Sequence, residues 1–111
     1  MDRVIEYSAI LKQVIQEYYA LYSKMADAQT ILIIEPAAHQ YQVIQVGWDL
    51  YARRIYTSIH LSIHNEKVYI HSDPTEEGIA NVLVSKGIPT SNIVLEYQAP
   101  SFRQHTAFAT T

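Results

Sequence analysis

Residues 53–71 constrain the fold more than any other stretch. From Arg53 to His64 (RRIYTSIHLSIH) the apolar side chains Ile55, Ile59, Leu61 and Ile63 hold the odd positions, while Tyr56, Ser58, His60, Ser62 and His64 hold the even ones. A period of two belongs to a pleated strand with one face on a core. The chain then reads His64-Asn65-Glu66-Lys67 and continues as VYIH over residues 68–71. A two-residue loop at Asn65-Glu66 sets Ile63 opposite Val68 and Leu61 opposite Ile70, apolar against apolar. On the other face it sets Ser62 opposite Tyr69 and His60 opposite His71. A slip of one residue would turn both sets of side chains to the wrong side, so the pattern specifies its own register.

The other elements must fit around this hairpin. Over residues 3–23 the apolar positions Val4, Tyr7, Leu11, Val14, Tyr18 and Leu21 recur at spacings of three and four, with Ile10 and Ile15 widening the stripe. That predicts an amphipathic helix with its charged side in water, followed by a polar connection over residues 23–29. TILIIE at residues 30–35 is a β-branched run stopped by Pro36, which predicts a strand with much of both faces covered. Residues 41–48 (YQVIQVGW) predict a second strand with Ile44, Val46 and Trp48 on one side, and residues 49–52 a hairpin loop. Asp73-Pro74-Thr75-Glu76 combines an N-cap aspartate, a proline at the first helical position and a glutamate three residues after the cap, and so predicts a helix over 74–86. Gly87 and Pro89 end it. IVLEY at residues 93–97 is a last strand, and residues 100–111 carry a short helix packed by Phe102 and Phe108, or no regular element. The expectation is an α+β fold, a mainly antiparallel sheet of about five strands with two helices packed on one face.

A chain of 111 residues with 49% apolar and 17% charged residues suits one compact domain spanning residues 1–111. With no cysteine there is no disulfide framework and no thiolate nucleophile or ligand, which fits a reducing cytoplasm. Neither a signal peptide nor a membrane span is expected, because no apolar run approaches the roughly 20 residues a span needs. The net charge of −3 disfavours binding to DNA by this chain alone, since Lys and Arg supply most phosphate affinity and here only Arg53 and Arg54 are adjacent.

No constellation for catalysis stands out. The three glycines, Gly47, Gly78 and Gly87, are too far apart for a phosphate-cradling loop. His60 and His64 copy the spacing of a helical zinc pair, but on a strand four residues span roughly 13 Å, too far for one ion. His60 and His71 across the hairpin have no assured third ligand, and a catalytic zinc usually has three from the protein. Glu76 and Glu77 favour the first turn of a helix, where carboxylates meet the macrodipole. Ser58 and Ser62 lack any sign of a base, an orienter and an oxyanion site. No cofactor, metal or catalytic residue is therefore expected.

Four stretches carry a resemblance to a known family. They are Val46-Gly47-Trp48-Asp49 with Arg53-Arg54, then Ile59-His60-Leu61 leading into Lys67-Val68, then Asp73 with Thr75-Glu76-Glu77-Gly78-Ile79-Ala80 before Leu83 and Gly87-Ile88-Pro89, and last Ile93-Val94-Leu95 with Pro100, Arg103, Thr106, Phe108 and Ala109. Over essentially its full length the chain resembles the XisI family, also called fdxN element excision controlling factors. The resemblance implies a non-catalytic accessory role in excising a DNA element during cyanobacterial heterocyst development, beside a XisH-like nuclease-fold partner and a site-specific recombinase. A DNA-binding accessory and an unrecognised small enzyme are the alternative readings.

Two helices cover only one side of a small sheet, so the other side of the 53–71 hairpin must meet solvent or another chain. It is expected to display Tyr56, His60, Ser62, Tyr69 and His71, none of them charged at neutral pH, and interface centres are depleted in charge. These five residues, with Arg103 as the next candidate, form the expected protein-contact surface, for the XisH-like partner or for a second copy in a homo-oligomer. DNA is expected to be reached at most indirectly, through a complex.

Overall fold

The computed structural model describes residues 3–25 and 29–111, so the polar connection expected at 23–29 lies partly outside the described residues. Helix α1 (Arg3–Tyr22) leads into strands β1 (Gln29–Glu35), β2 (Gln40–Asp49), β3 (Ala52–His64) and β4 (Lys67–Ser72). Helix α2 (Ile79–Ser85), a 3-10 turn (Thr90–Asn92), strand β5 (Ile93–Leu95) and the one-turn helix α3 (Pro100–Arg103) complete the order. The sheet runs β1-β2-β3-β4-β5. Its first three pairings are antiparallel and β4 pairs with β5 in parallel, so this α+β sheet is mixed but mostly antiparallel.

The hairpin register read from the alternation is present. Ile63 pairs with Val68, Leu61 with Ile70 and Ser62 with Tyr69. Asn65 and Glu66 both have positive φ, 52° and 59°, as a tight two-residue turn between twisted strands requires. Beyond Leu61 the register shifts: His60 pairs with Ser72, not with His71, because His71 is an extra residue in β4. A second shift lies in β3, where Val43 pairs with Ile59 but Ile44 pairs with Thr57, leaving Ser58 as the extra residue. Each bulge reverses the phase of the alternation beyond it.

The core lies between the helices and one face of the sheet. Tyr7, Leu11, Val14, Ile15 and Tyr18 of α1 and Ile79, Ala80 and Leu83 of α2 bury against Tyr41, Val43, Ile59, Leu61, Ile63, Val68 and Ile70. The α1 stripe follows the predicted spacing except at its end, where Leu21 is 53% exposed. Packing at this density makes each large side chain worth about 1.5–3 kcal/mol of burial. Tyr7 keeps its hydroxyl satisfied by accepting from Asn92 Nδ2 at 2.7 Å, which ties α1 to the 3-10 turn.

Ile44, Val46 and Trp48 share one face of β2 as expected, and that face is the helix-free one, while Tyr41 and Val43 carry the core face. Two local expectations are corrected. Strand β1 is an edge strand with no fully buried residue rather than one covered on both sides. The second helix begins at Ile79, five residues later than the capping pattern predicts. Asp73 still caps it, from further away. Its Oδ2 accepts the Ile79 N–H at 2.8 Å, while Oδ1 accepts the N–H and hydroxyl of Thr75 at 2.9 and 2.6 Å. The intervening loop turns at Gly78, whose φ of 83° and ψ of 120° lie where a side chain is strained.

The C-terminal segment is held back against β5. Ala109 N–H donates to the Ile93 carbonyl at 2.9 Å and Ala109 bridges to Val94 in parallel. Phe108 packs on the core as expected, whereas Phe102 is 51% exposed.

Candidate partner-binding face

The helix-free face of the sheet divides into two zones, set by which strands supply them. Where β3 and β4 meet, alternation sends His60, Ser62 and Tyr69 to this side, and the bulge lets His71 lean over its neighbour. The rings form a row: His60 and His71 have centroids 4.3 Å apart at 30°, Tyr69 and His71 6.4 Å apart at 23°, and His64 and Tyr69 6.1 Å apart. They line an open cleft of about 440 Å³ together with Gln40 and Glu96.

Two ring nitrogens of the row have local partners. Gln40 Nε2 donates to the Ala38 carbonyl at 3.3 Å, which turns its Oε1 toward His60 Nε2 at 2.6 Å. An amide oxygen only accepts, so His60 carries its proton on Nε2. Ser62 Oγ lies 2.7 Å from His71 Nε2. Burial lowers the pKa of His60, and the neighbouring His71 lowers it further. His71 is also lowered by burial, with Glu96 pulling partly the other way. Both imidazoles are therefore neutral at pH 7, and two neutral rings stack where two cations would repel.

The Ser62–His71 contact places a base beside a serine, a neighbour that strand alternation alone does not announce. It satisfies buried polar atoms: Ser62 is 5% exposed, and among the described residues no carboxylate bonds the other ring nitrogen of His71. Nor do the described residues bring three or more His, Asp or Glu side chains together to hold a metal ion.

The structure assembles four of the expected surface residues, His60, Ser62, Tyr69 and His71, and separates two. Tyr56 lies beyond the Ser58 bulge, so it pairs with Gln45 on the helix side and donates from its hydroxyl to Gln45 Oε1 at 2.7 Å. Arg103 is 8% exposed and turned inward. Its Nε donates to the carbonyls of Leu95 and Gln98 at 3.1 and 2.9 Å, Nη1 to that of Thr110 at 3.3 Å and Nη2 to that of Glu96 at 3.2 Å. A guanidinium so committed staples the C-terminal segment and presents little to a partner. Gln40, His64 and Glu96 join the cleft without having been singled out. His64 had a usable signal, since the alternation of β3 already sets it on the side of His60 and Ser62.

The second zone is apolar. On β1, β2 and β3 the same face carries Ile31, Ile44 and Val46 with the more exposed Ile33 (37%), Ile55 (57%) and Trp48 (69%). The bulge at Ser58 is what moves Ile55 here from the core face.

A mixed five-stranded sheet with its helices on one face and an open ring-lined cleft on the other defines a small α+β protein with a free sheet face. Residues 1–110 match the model of the XisI protein family, and the chain belongs to that family. It is similar to the crystal structure of the fdxN element excision controlling factor XisI from Anabaena variabilis, with 32% identity, a TM-score of 0.90, and 99% of this chain and 100% of that one covered. A XisI-like protein from the same organism is also similar, at 29% identity and a TM-score of 0.88, covering 97% of this chain and 99% of that one. No curated protein matches this chain. Among the described residues no helix is long and apolar enough to cross a membrane.

Proposed function

We propose that the chain is a non-catalytic controlling factor in the programmed excision of a DNA element, and that it acts by holding a XisH-like, nuclease-fold protein partner which works with a site-specific recombinase. The observation that carries this reading is the row of tyrosine and imidazole rings on the helix-free face. His60, His71, Tyr69 and His64 offer an aromatic, charge-poor cleft of the kind that suits the centre of a protein interface. The crystal structure similar to this chain is named an excision controlling factor, which supports the process. The net charge of −3 supports contact with DNA through the partner rather than directly.

The test is co-purification with the XisH-like protein from the same genome. The wild-type chain is expected to retain it at pH 7.5, and Tyr69→Glu to lose it while keeping its circular dichroism and melting temperature. Retention by a folded Tyr69→Glu variant would move the contact off this cleft. Failure of the wild-type chain to retain the partner would remove the reading.

A further inference from the structure

Residues 47–57 form a two-stranded arm. β1 ends its pairing at Val46, and β4 begins its own only at His60, so among the described residues no strand flanks β3 from Ala52 to Ser58. Every β3 residue from Ala52 to Thr57 is exposed, and the arm carries Tyr56 at 56%, Ile55 at 57% and Trp48 at 69% exposure. An open edge of this length, flanked by apolar side chains, is a template for another strand.

The ladder decides which backbone groups are free. Asp49 and Ala52 close a two-residue loop and are therefore a hydrogen-bonded pair. Ala52, Arg54 and Tyr56 accordingly bond β2, while Arg53, Ile55 and Thr57 aim their N–H and C=O groups outward. Ser72 Oγ donates to the Thr57 carbonyl at 3.4 Å from the β4 side, as that direction requires.

We propose that two copies of this chain join along this edge, antiparallel, about a two-fold axis at Ile55. Such an axis stands perpendicular to the joined sheet and keeps each side chain on its own face, so it passes between one residue, inward or outward, and its own copy. Of the inward residues, an axis at Arg54 sets two guanidinium groups opposite each other, and one at Tyr56 needs the second copy's Ala52 opposite His60, where Ser72 already lies. Three outward candidates remain. An axis at Arg53 sets two guanidinium groups opposite each other. An axis at Thr57 needs the second copy's residues 50–54 in the place β4 already holds. At Ile55, Ile55 meets Ile55, Arg54 meets Tyr56 and Arg53 meets Thr57, so no like charges oppose and Arg54 gains a ring. Ser72 Oγ already bonds the Ser58 carbonyl at 2.9 Å, so the ladder between the copies runs from Arg53 to Thr57 and stops there, short of His60 where β4 begins. In this one register Arg54, which already holds its own Asp49 at 2.9 Å, meets a tyrosine and Arg53 meets an uncharged threonine, so neither arginine opposes a like charge, which argues for a second copy over an unrelated strand.

The test uses the full chain in solution. Sedimentation and light scattering are expected to give twice the chain mass for the wild type and a single chain for Ile55→Lys, which puts two ammonium groups face to face at an exposed position. Circular dichroism should be unchanged by that substitution, and the variant should still melt cooperatively, without the concentration dependence of the dimer. The chain has no cysteine, so Ile55→Cys should form a covalent dimer on mild oxidation, because paired Cα atoms about 5.5 Å apart suit a disulfide. Tyr51→Cys should not, since in this register its two copies lie roughly 26 Å apart. A monomeric wild type, a dimer that survives Ile55→Lys, or equal cross-linking of the two cysteine variants would each overturn the proposal.

Discussion

His60 and His71 stack with ring centroids 4.3 Å apart although their backbones are not partners, because the extra residue in β4 sets His60 opposite Ser72. The bulge converts a cross-strand pair into an overlap of rings, and that overlap depends on both staying uncharged.

The first prediction concerns pH. Burial holds both imidazoles below the ordinary value of 6.5 in the folded chain, while in the unfolded chain they titrate near it. As pH falls below about 6.5 the unfolded state takes up protons that the folded state does not, so stability present above that pH is lost until the folded-state values are reached. Urea midpoints at pH 7.5 and 5.5 should fall more for the wild type than for a His60→Gln, His71→Gln variant. Equal falls would show that these two rings are not the titrating pair.

Arg103→Met is expected to destabilise the chain by about 2–3 kcal/mol. It removes the donor from the part-buried carbonyls of Gln98, Glu96 and Thr110 and one of the two donors from that of Leu95. Hydrogen exchange should show residues 104–111 losing protection before the sheet does. Uniform loss across the sheet would instead assign Arg103 to the global core.

Asp73→Ala removes the acceptor for the Ile79 N–H and for both Thr75 donors. The expected cost is about 1–2 kcal/mol, measured by chemical denaturation, with Asp73→Asn losing less because it keeps one acceptor oxygen. A neutral result for the alanine variant would mean that α2 starts without this cap.

Gly78→Ala should cost about 1–3 kcal/mol, because the backbone is held at φ 83° and a new Cβ would sit 3.2 Å from Asn81 Nδ2. Gly87→Ala also meets a positive φ, 110°, but opens onto free space, so its cost should come from the backbone alone and be the smaller of the two. Thermal melts of the two variants compare them directly.

Much of the fold was legible because its signals are local. The α1 stripe, the Asn65-Glu66 turn and the pairing of residues 61–63 with 68–70 all rest on period and turn chemistry, which the chain states residue by residue. The Asp73 cap was legible as chemistry but misplaced. A carboxylate can reach an N–H three residues on or six residues on, and only the turn at Gly78 decided between them.

The contact face was legible in part. His60, Ser62, Tyr69 and His71 share a side because strand alternation alone puts them there or next to there, whereas Tyr56 and Ile55 changed sides at Ser58. Nothing in RRIYTSIH announces that bulge, for a serine in a strand is compatible with either phase. It arises from fitting β3 against β2 and the helix-covered core at once. Arg103 likewise reads as an available cation until the fold folds the C-terminal segment around it and surrounds its guanidinium with carbonyls. The sequence by itself determined the elements, the hairpin register and the core side of each strand near its turn, because those follow from side-chain periodicity over a few residues. The tertiary structure alone decided where the alternation changes phase, and therefore which apolar and aromatic residues face the core and which face another molecule, because a bulge is set by the competing demands of two neighbouring strands.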